Sequence, residues 1–384
     1  MIGDKNWFIH NLPFYWGPLK EPNNSHGLPN NLPFELGVCE ETGRILQVPC
    51  KKVLSSLEKA YSIGSMITGM MEEEGIGKDY AEDFLTYITE ATSNSLKGKR
   101  ILEIGCGTGY LLKRLKDKGA KCIGIEPGAH GIKGSIKYKV EIIHDYYPSN
   151  KVNGYFDIIL LYGVLEHIED PVQFLESILN NLTKEGYMIL SAPDEGVSID
   201  NGDVSMLFHE HFSYFCKESL YNTLFLSGVK NIKIEKSGFG SALYASGQIG
   251  ENNADSIKIS ALDQVQRYNS YKIKAMQNAE NISEYIKNTK HKHKTLGIYV
   301  PARLINAIFM ENIDLLNCRF FDDNPLLQGT YYPGINIPVE SKKELINKPT
   351  DHVLISSCTF GDKIFESIRY LLPNFTKINL LNDI

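Results

Sequence analysis

Ten residues, Ile101 to Tyr110 (ILEIGCGTGY), constrain this chain more than any other stretch. The apolar, β-branched run Ile101, Leu102, Ile104 reads as a short buried strand. The run that follows, YLLKRLKDKGA, places Leu111, Leu112 and Leu115 at helical spacing, with Gly119 as a stop. A strand that turns through glycines into a helix aims backbone N–H groups and a helix N-terminus at a ligand. The dinucleotide fingerprint needs G-x-G-x-x-G, whereas Gly105, Gly107 and Gly109 are spaced G-x-G-x-G and Tyr110 takes the third dinucleotide position. NAD is therefore disfavoured. Glu103, just before the glycines, would repel a pyrophosphate but suits a cationic amino group.

The order E-x-G-x-G-x-G resembles the first motif of S-adenosylmethionine methyltransferases, and the neighbouring segments agree with it. KCIGIEPG reads as a second strand ending at Glu126, whose carboxylate suits the two ribose hydroxyls. VEIIHDYYP reads as a third strand ending in His144, Asp145 and Tyr146, suited to the edge and face of an adenine. A fourth strand (YFDIILLY) leads through a turn to a helix with Asp170 as cap and Pro171 in its first turn. EGYMILSAP supplies a fifth strand. The expected class is α/β: a Rossmann-like class I methyltransferase core that binds S-adenosylmethionine.

At 384 residues the chain exceeds one ordinary domain. Residues 1–75 are rich in Pro, Gly and Asn and include a hairpin-like ELGVCEETGRILQVP; they read as a small capping unit over the substrate. Residues 76–254 form the cofactor domain. Residues 255–384 begin with a long amphipathic helix carrying Ile259, Leu262, Val265, Ala275, Ala279, Ile282 and Ile286. That helix ends at HKHK, where His291 and His293 read as a solvated helix end, and a second small α/β domain follows from Thr295. A net charge of −6 argues against nucleic acid held through phosphate contacts. The longest apolar run, IILLYGVL, is too short to span a bilayer, so no membrane partner is expected. No secretory signal is evident, and the seven cysteines include no C-x-x-C pair, so cytoplasm is the expected compartment.

The densest group of chemically able side chains is MLFHEHFSYFCKESL, with His209, Glu210, His211, Tyr214 and Cys216 among aromatics. Read as an extended strand, it puts His209 and His211 on one face and Glu210 on the other. A metal reading of H-x-H lacks a third ligand at recognisable spacing. Core-edge histidines satisfied by hydrogen bonds are one alternative; an imidazole that takes a substrate proton is the other, favoured by so many polar groups in an apolar setting.

FHEHFSYF resembles the central Y-H-E-H-x-S-Y-F signature of nucleotide-sugar C-methyltransferases, three-part enzymes acting at C3 of a nucleotide-linked 4-keto-6-deoxy sugar. FDDNPLLQGTYYPGINIPV and DHVLISS resemble that family's C-terminal domain. The resemblance implies that His211 is the base forming an enolate, that Glu210 and Tyr214 assist, and that His209 lies at the sugar. It implies a sugar pocket at YSIGS, with Tyr61 and Ser65 matching Y-x-Y-x-S and Ile63 departing from it. No metal is implied for this step. The family's N-terminal zinc cannot be assembled from Cys39 and Cys50 alone, Phe208 replaces the signature's tyrosine, and GFGSAL lacks the histidine and arginine of H-G-G-S-x-R. Three functions therefore stand open. One is C-methylation of a nucleotide-linked keto-sugar for polysaccharide or secondary-metabolite synthesis. Another is O- or N-methylation of a sugar or other small acceptor. The last is non-catalytic S-adenosylmethionine binding.

Overall fold

The computed structural model describes residues 6–14, 17–24, 27–63, 71–93, 96–249, 260–290, 294–357 and 360–384. Ser65, Ile259, His291 and His293 lie outside them. The N-terminal unit is built on β1 (Trp7–Pro13), β2 (Asn31–Val38) and β3 (Ile45–Gln47), paired antiparallel. In β2 the alternating Leu32, Phe34 and Leu36 are buried, as a half-solvated strand requires. The helix Lys51–Ile63 presses Val53, Leu57 and Ala60 onto Phe14, Leu28, Leu32 and Phe212. Packing of this kind holds the unit together; Cys39 and Cys50 are free thiols.

The central sheet follows. Its first five strands are β4 (Arg100–Ile104), β5 (Lys121–Ile125), β6 (Glu141–Ile143), β7 (Phe156–Tyr162) and β8 (Leu182–Pro193). β9 (Ser213–Tyr214) leaves this sheet and pairs with β3 of the N-terminal unit. β10 (Val229–Lys236) and β11 (Ala242–Ile249), a hairpin not anticipated above, complete a seven-stranded order β10-β11-β8-β7-β4-β5-β6. The strands from β6 to β8 are parallel, and the hairpin adds antiparallel to β8. From β4 the chain proceeds outward through β5 and β6, then returns to place β7 on the other side of β4. The crevice at the carboxyl ends of β4 and β7 is thus the topological switch point, where an open α/β sheet binds its ligand. The Asp170 cap forms as expected, Oδ1 accepting from Gln173 N at 3.0 Å.

The bridging helix runs Ala261–Lys290, and its buried face differs in part from expectation. Leu262 is exposed, and Tyr268 and Tyr271 stand on the face that holds Ala275, Ala279, Ile282 and Ile286. Aromatic residues of mixed polarity had been left out of the apolar stripe; Tyr268 can be buried because its hydroxyl donates to Leu36 O at 2.8 Å. The last domain is a five-stranded parallel sheet of β12 (Leu296–Tyr299), β13 (Cys318–Phe321), β14 (Val339–Glu340), β15 (His352–Ile355) and β16 (Lys377–Leu380), in the order β14-β13-β12-β15-β16. One continuous core joins β1 and β2, the bridging helix and this sheet. Asn306 Nδ2 donates to Val204 O at 2.7 Å and to Leu207 O at 2.9 Å, so the last domain braces the backbone leading into FHEHFSYF. Among the described residues no helix is long and apolar enough to cross a membrane.

Candidate active site

The glycine loop after β4 forms one wall. Gly105, Gly107 and Gly109 have φ of +68°, +52° and +74°, backbone that L side chains rarely adopt. A Cβ on Gly105 would lie 2.6 Å from Val164 Cγ2, so the loop after β7 closes directly over the glycine turn. Glu126, at the end of β5, accepts from Gly107 N at 3.0 Å and Gly128 N at 2.7 Å. These bonds hold its carboxylate beside the loop, as a ribose-binding acid requires. Glu103 is 3% exposed, and its Oε2 has no hydrogen-bond partner among the described residues. Burial, reinforced by the charge of Glu126, pushes its carboxyl well above the usual carboxylate range. A buried acid without a donor beside a glycine turn fits the ammonium of S-adenosylmethionine.

Asp145 is turned into its own loop: Oδ1 accepts from Tyr146 N at 2.9 Å, and Oδ2 accepts from Ser149 Oγ at 2.8 Å and pairs with Lys151. Lys151, first among its partners, holds the Asp145 carboxyl low. Tyr146 is 63% exposed, a ring available to stack on a flat ligand. Sequence reasoning missed Gly134, on the helix Ala129–Tyr138, where a Cβ would fall 1.9 Å from Thr108 O of the glycine loop. Gly134→Ala is expected to push that helix off the loop, costing about 1–3 kcal/mol of stability and weakening cofactor binding. Chemical denaturation and calorimetric titration of the variant read both effects.

The opposite wall is made of the FHEHFSYF run and the turn after β7. Contrary to the extended-strand reading, the run folds back on itself. His211 N donates to Phe208 O at 3.0 Å, and the Tyr214 hydroxyl donates to Phe208 O and accepts from Phe208 N, both at 3.1 Å. His209 and His211 therefore diverge instead of sharing a face. His209 is 2% exposed, packed between the rings of Phe14 and Phe34 at 5.5 and 5.3 Å; burial pulls its pKa down to about 4. His209 and fully buried Tyr214, both expected at the substrate, instead shape the loop from inside the fold. The physical reason is that a turn closed by backbone and phenol hydrogen bonds breaks the two-residue alternation on which the earlier reading rested.

His211 faces the turn after β7, its ring 5.0 Å from that of His167 and 5.6 Å from Phe208. Burial, then the neighbouring His167, hold its pKa well below the ordinary histidine value, leaving it neutral. The FHEHFSYF run and the turn after β7 are bonded to each other: His167 Nδ1 donates to Glu210 O at 2.8 Å, and Phe212 N donates to Glu166 O at 2.7 Å. Tyr61, on the N-terminal helix, packs against the cluster of Phe14, Val53, Leu57 and Phe212, and burial, then the nearby Glu210, raises its phenol pKa. Glu166 and His167 also belong to this centre and were not singled out from the sequence. The segment LEHIED was absorbed there into a strand–turn–helix reading.

Two family models agree with this architecture. Residues 77–234 match the model of a methyltransferase domain, and residues 252–378 match that of a C-methyltransferase C-terminal domain. The ubiquinone biosynthesis O-methyltransferase of a Bradyrhizobium species is 34% identical over 127 residues, covering 28% of this chain and 49% of that protein. The tRNA U34 carboxymethyltransferase of a Sulfurovum species is 38% identical over 107 residues, covering 25% of this chain and 34% of that protein. This chain thus spans about half or less of the curated relatives it matches. Among solved structures, the N-methyltransferase NodS from Bradyrhizobium japonicum, in complex with S-adenosyl-l-homocysteine, aligns with a TM-score of 0.40 at 15% identity, covering 52% of this chain and 99% of that one.

Proposed function

We propose that this chain, with a class I methyltransferase domain followed by a C-methyltransferase C-terminal domain, methylates a carbon of a nucleotide-linked keto-deoxy sugar. The observation that carries the reading is the position of neutral His211, whose neighbours Glu210 and Phe212 are hydrogen-bonded to His167 and Glu166 in the turn that covers Gly105. S-adenosylmethionine, when bound, supplies an electrophilic methyl group on a sulfonium sulfur.

The residues that would hold the cofactor are Glu103 at its amino group, Gly105 and Gly107 along the loop, Glu126 at the ribose and Tyr146 at the base. A carbon acceptor then needs a base, because a C–H bond beside a ketone must give up its proton before the carbon becomes a nucleophile. An imidazole nitrogen of His211 takes that proton, and the electron pair of the broken bond passes to the ketone oxygen as an enolate. Tyr61, kept protonated by burial, donates a hydrogen bond to the acceptor. Glu210 sets the height of His211 through its carbonyl, which is tied to His167.

The test is to incubate purified protein with S-adenosylmethionine and a panel of nucleotide-linked 4-keto sugars, detect product by mass spectrometry and locate the methyl by NMR. A new methyl on the carbon beside the ketone is the expected result. A methyl on oxygen, or no product from any keto-sugar, would overturn the reading.

A further inference from the structure

Three potential ligand atoms, from a buried carboxylate and two half-buried imidazoles, converge in this site. One ligand atom from each of Glu166, His167 and His211 lies within 4.8 Å of the other two. Glu166 is 4% exposed, and its Oε2 has no hydrogen-bond partner among the described residues. His167 spends its Nδ1 proton on Glu210 O, so the Nε2 of the neutral ring carries a lone pair, points 3.9 Å from Glu166 Oε1 and is likewise unpartnered among the described residues. His211 brings a second imidazole edge-on to His167. The unpartnered Glu166 Oε2 and His167 Nε2 thus lie at one point, an arrangement that costs free energy unless a proton or a metal ion sits between them.

The geometry points to a divalent transition-metal site formed by Glu166, His167 and His211, at which a bound ion inhibits methyl transfer. Two imidazoles and a carboxylate are a ligand set that zinc accepts, and the fixing of His167 by a backbone carbonyl through its other nitrogen is how metal-bound histidines are oriented. Ligand atoms around zinc stand about 3.4 Å apart, so side-chain rotations of about an ångström close the cluster. The site itself rests on geometry alone. The inhibition rests on the reading of His211 as the base, since a lone pair given to a metal cannot take a carbon-bound proton. The sequence alone hid the third ligand that H-x-H needs, because it comes from the turn after β7.

The experiment is a calorimetric titration of zinc chloride into chelator-stripped protein, for wild type, Glu166→Gln and His167→Ala, with circular dichroism to verify folding. Cobalt(II) serves as a second probe whose visible absorption reports nitrogen and oxygen ligation. The expected result is one equivalent bound by wild type, at least tenfold weaker binding by each variant, and turnover that falls with the same midpoint as binding and returns on adding chelator. Absence of binding by wild type, or equal binding by folded variants (an adventitious ion only), would overturn the site. Turnover that rises with zinc would overturn the inhibition and the base assignment together. The binding arms need no acceptor, so they stand even where no keto-sugar is methylated.

Discussion

Glu103→Gln is expected to weaken S-adenosylmethionine binding by on the order of 10²-fold while raising the thermal midpoint of the cofactor-free protein. Both effects have one cause. The Glu103 carboxyl is buried at the end of β4, with Oε2 lacking a hydrogen-bond donor among the described residues. In the free protein it is a destabilising group, and the amide removes the cost of its charged form. Toward an ammonium it is a desolvated partner, and removing one member of such a pair costs about 2–5 kcal/mol.

The pH dependence follows with a definite sign. Because burial and Glu126 raise the Glu103 carboxyl above its unfolded value, the folded protein holds that proton at pH values where the unfolded chain has lost it. The protonated form contributes stability at low pH, and that contribution is lost as pH rises through the folded pKa. Cofactor affinity runs the other way. It is expected to be weak while Glu103 is neutral and to tighten as the carboxyl ionises, until the cofactor's own α-amino group begins to lose its proton near pH ~8. Calorimetric titration across pH should show an acid limb in wild type that is missing in Glu103→Gln. An acid limb that survives in the variant would assign the titration elsewhere.

His211→Ala should lower methyl transfer to a carbon acceptor by roughly 10²–10⁴-fold, the usual contribution of a positioned general base. Cofactor affinity should be nearly unchanged, because Glu103, Glu126 and the glycine loop lie on the other wall. Single-turnover kinetics together with cofactor titration separate the two quantities. A hydroxyl or amine acceptor needs less help from a base, so a variant that keeps most of its turnover would favour O- or N-methylation. The Tyr214 strut and the Asn306 brace hold the FHEHFSYF turn without His211, so loss of the fold is not the expected consequence.

How much of this was legible beforehand depended on how locally each feature is encoded. The strand, glycine turn and helix around Gly105, the Asp170 cap and the acids at strand ends are set by residues a few positions apart, where side-chain period and positive φ leave a direct mark. The β10–β11 hairpin escapes the sequence reading because ALYASGQI, buried on both faces, has no two-residue alternation and its place in the sheet is decided by pairing with β8. The buried face of the bridging helix was misjudged at Tyr268, whose burial depends on a carbonyl contributed by Leu36, far away in the chain.

The sequence by itself determined the class of the fold and the strand, glycine turn and helix around Gly105, with Glu103 and Glu126 at the ends of neighbouring strands. Only the tertiary structure decided which side chains meet. It sent His209 into the N-terminal core, made Tyr214 a strut, and brought His211 against Glu166 and His167. His167 and Glu210 are separated by 43 residues yet joined by one 2.8 Å hydrogen bond. Periodicity records which way a side chain points within its own element. Contacts between the turn after β7 and the FHEHFSYF run follow from closing the central sheet, bracing by the last domain and burial under the N-terminal helix. No stretch of sequence contains all three.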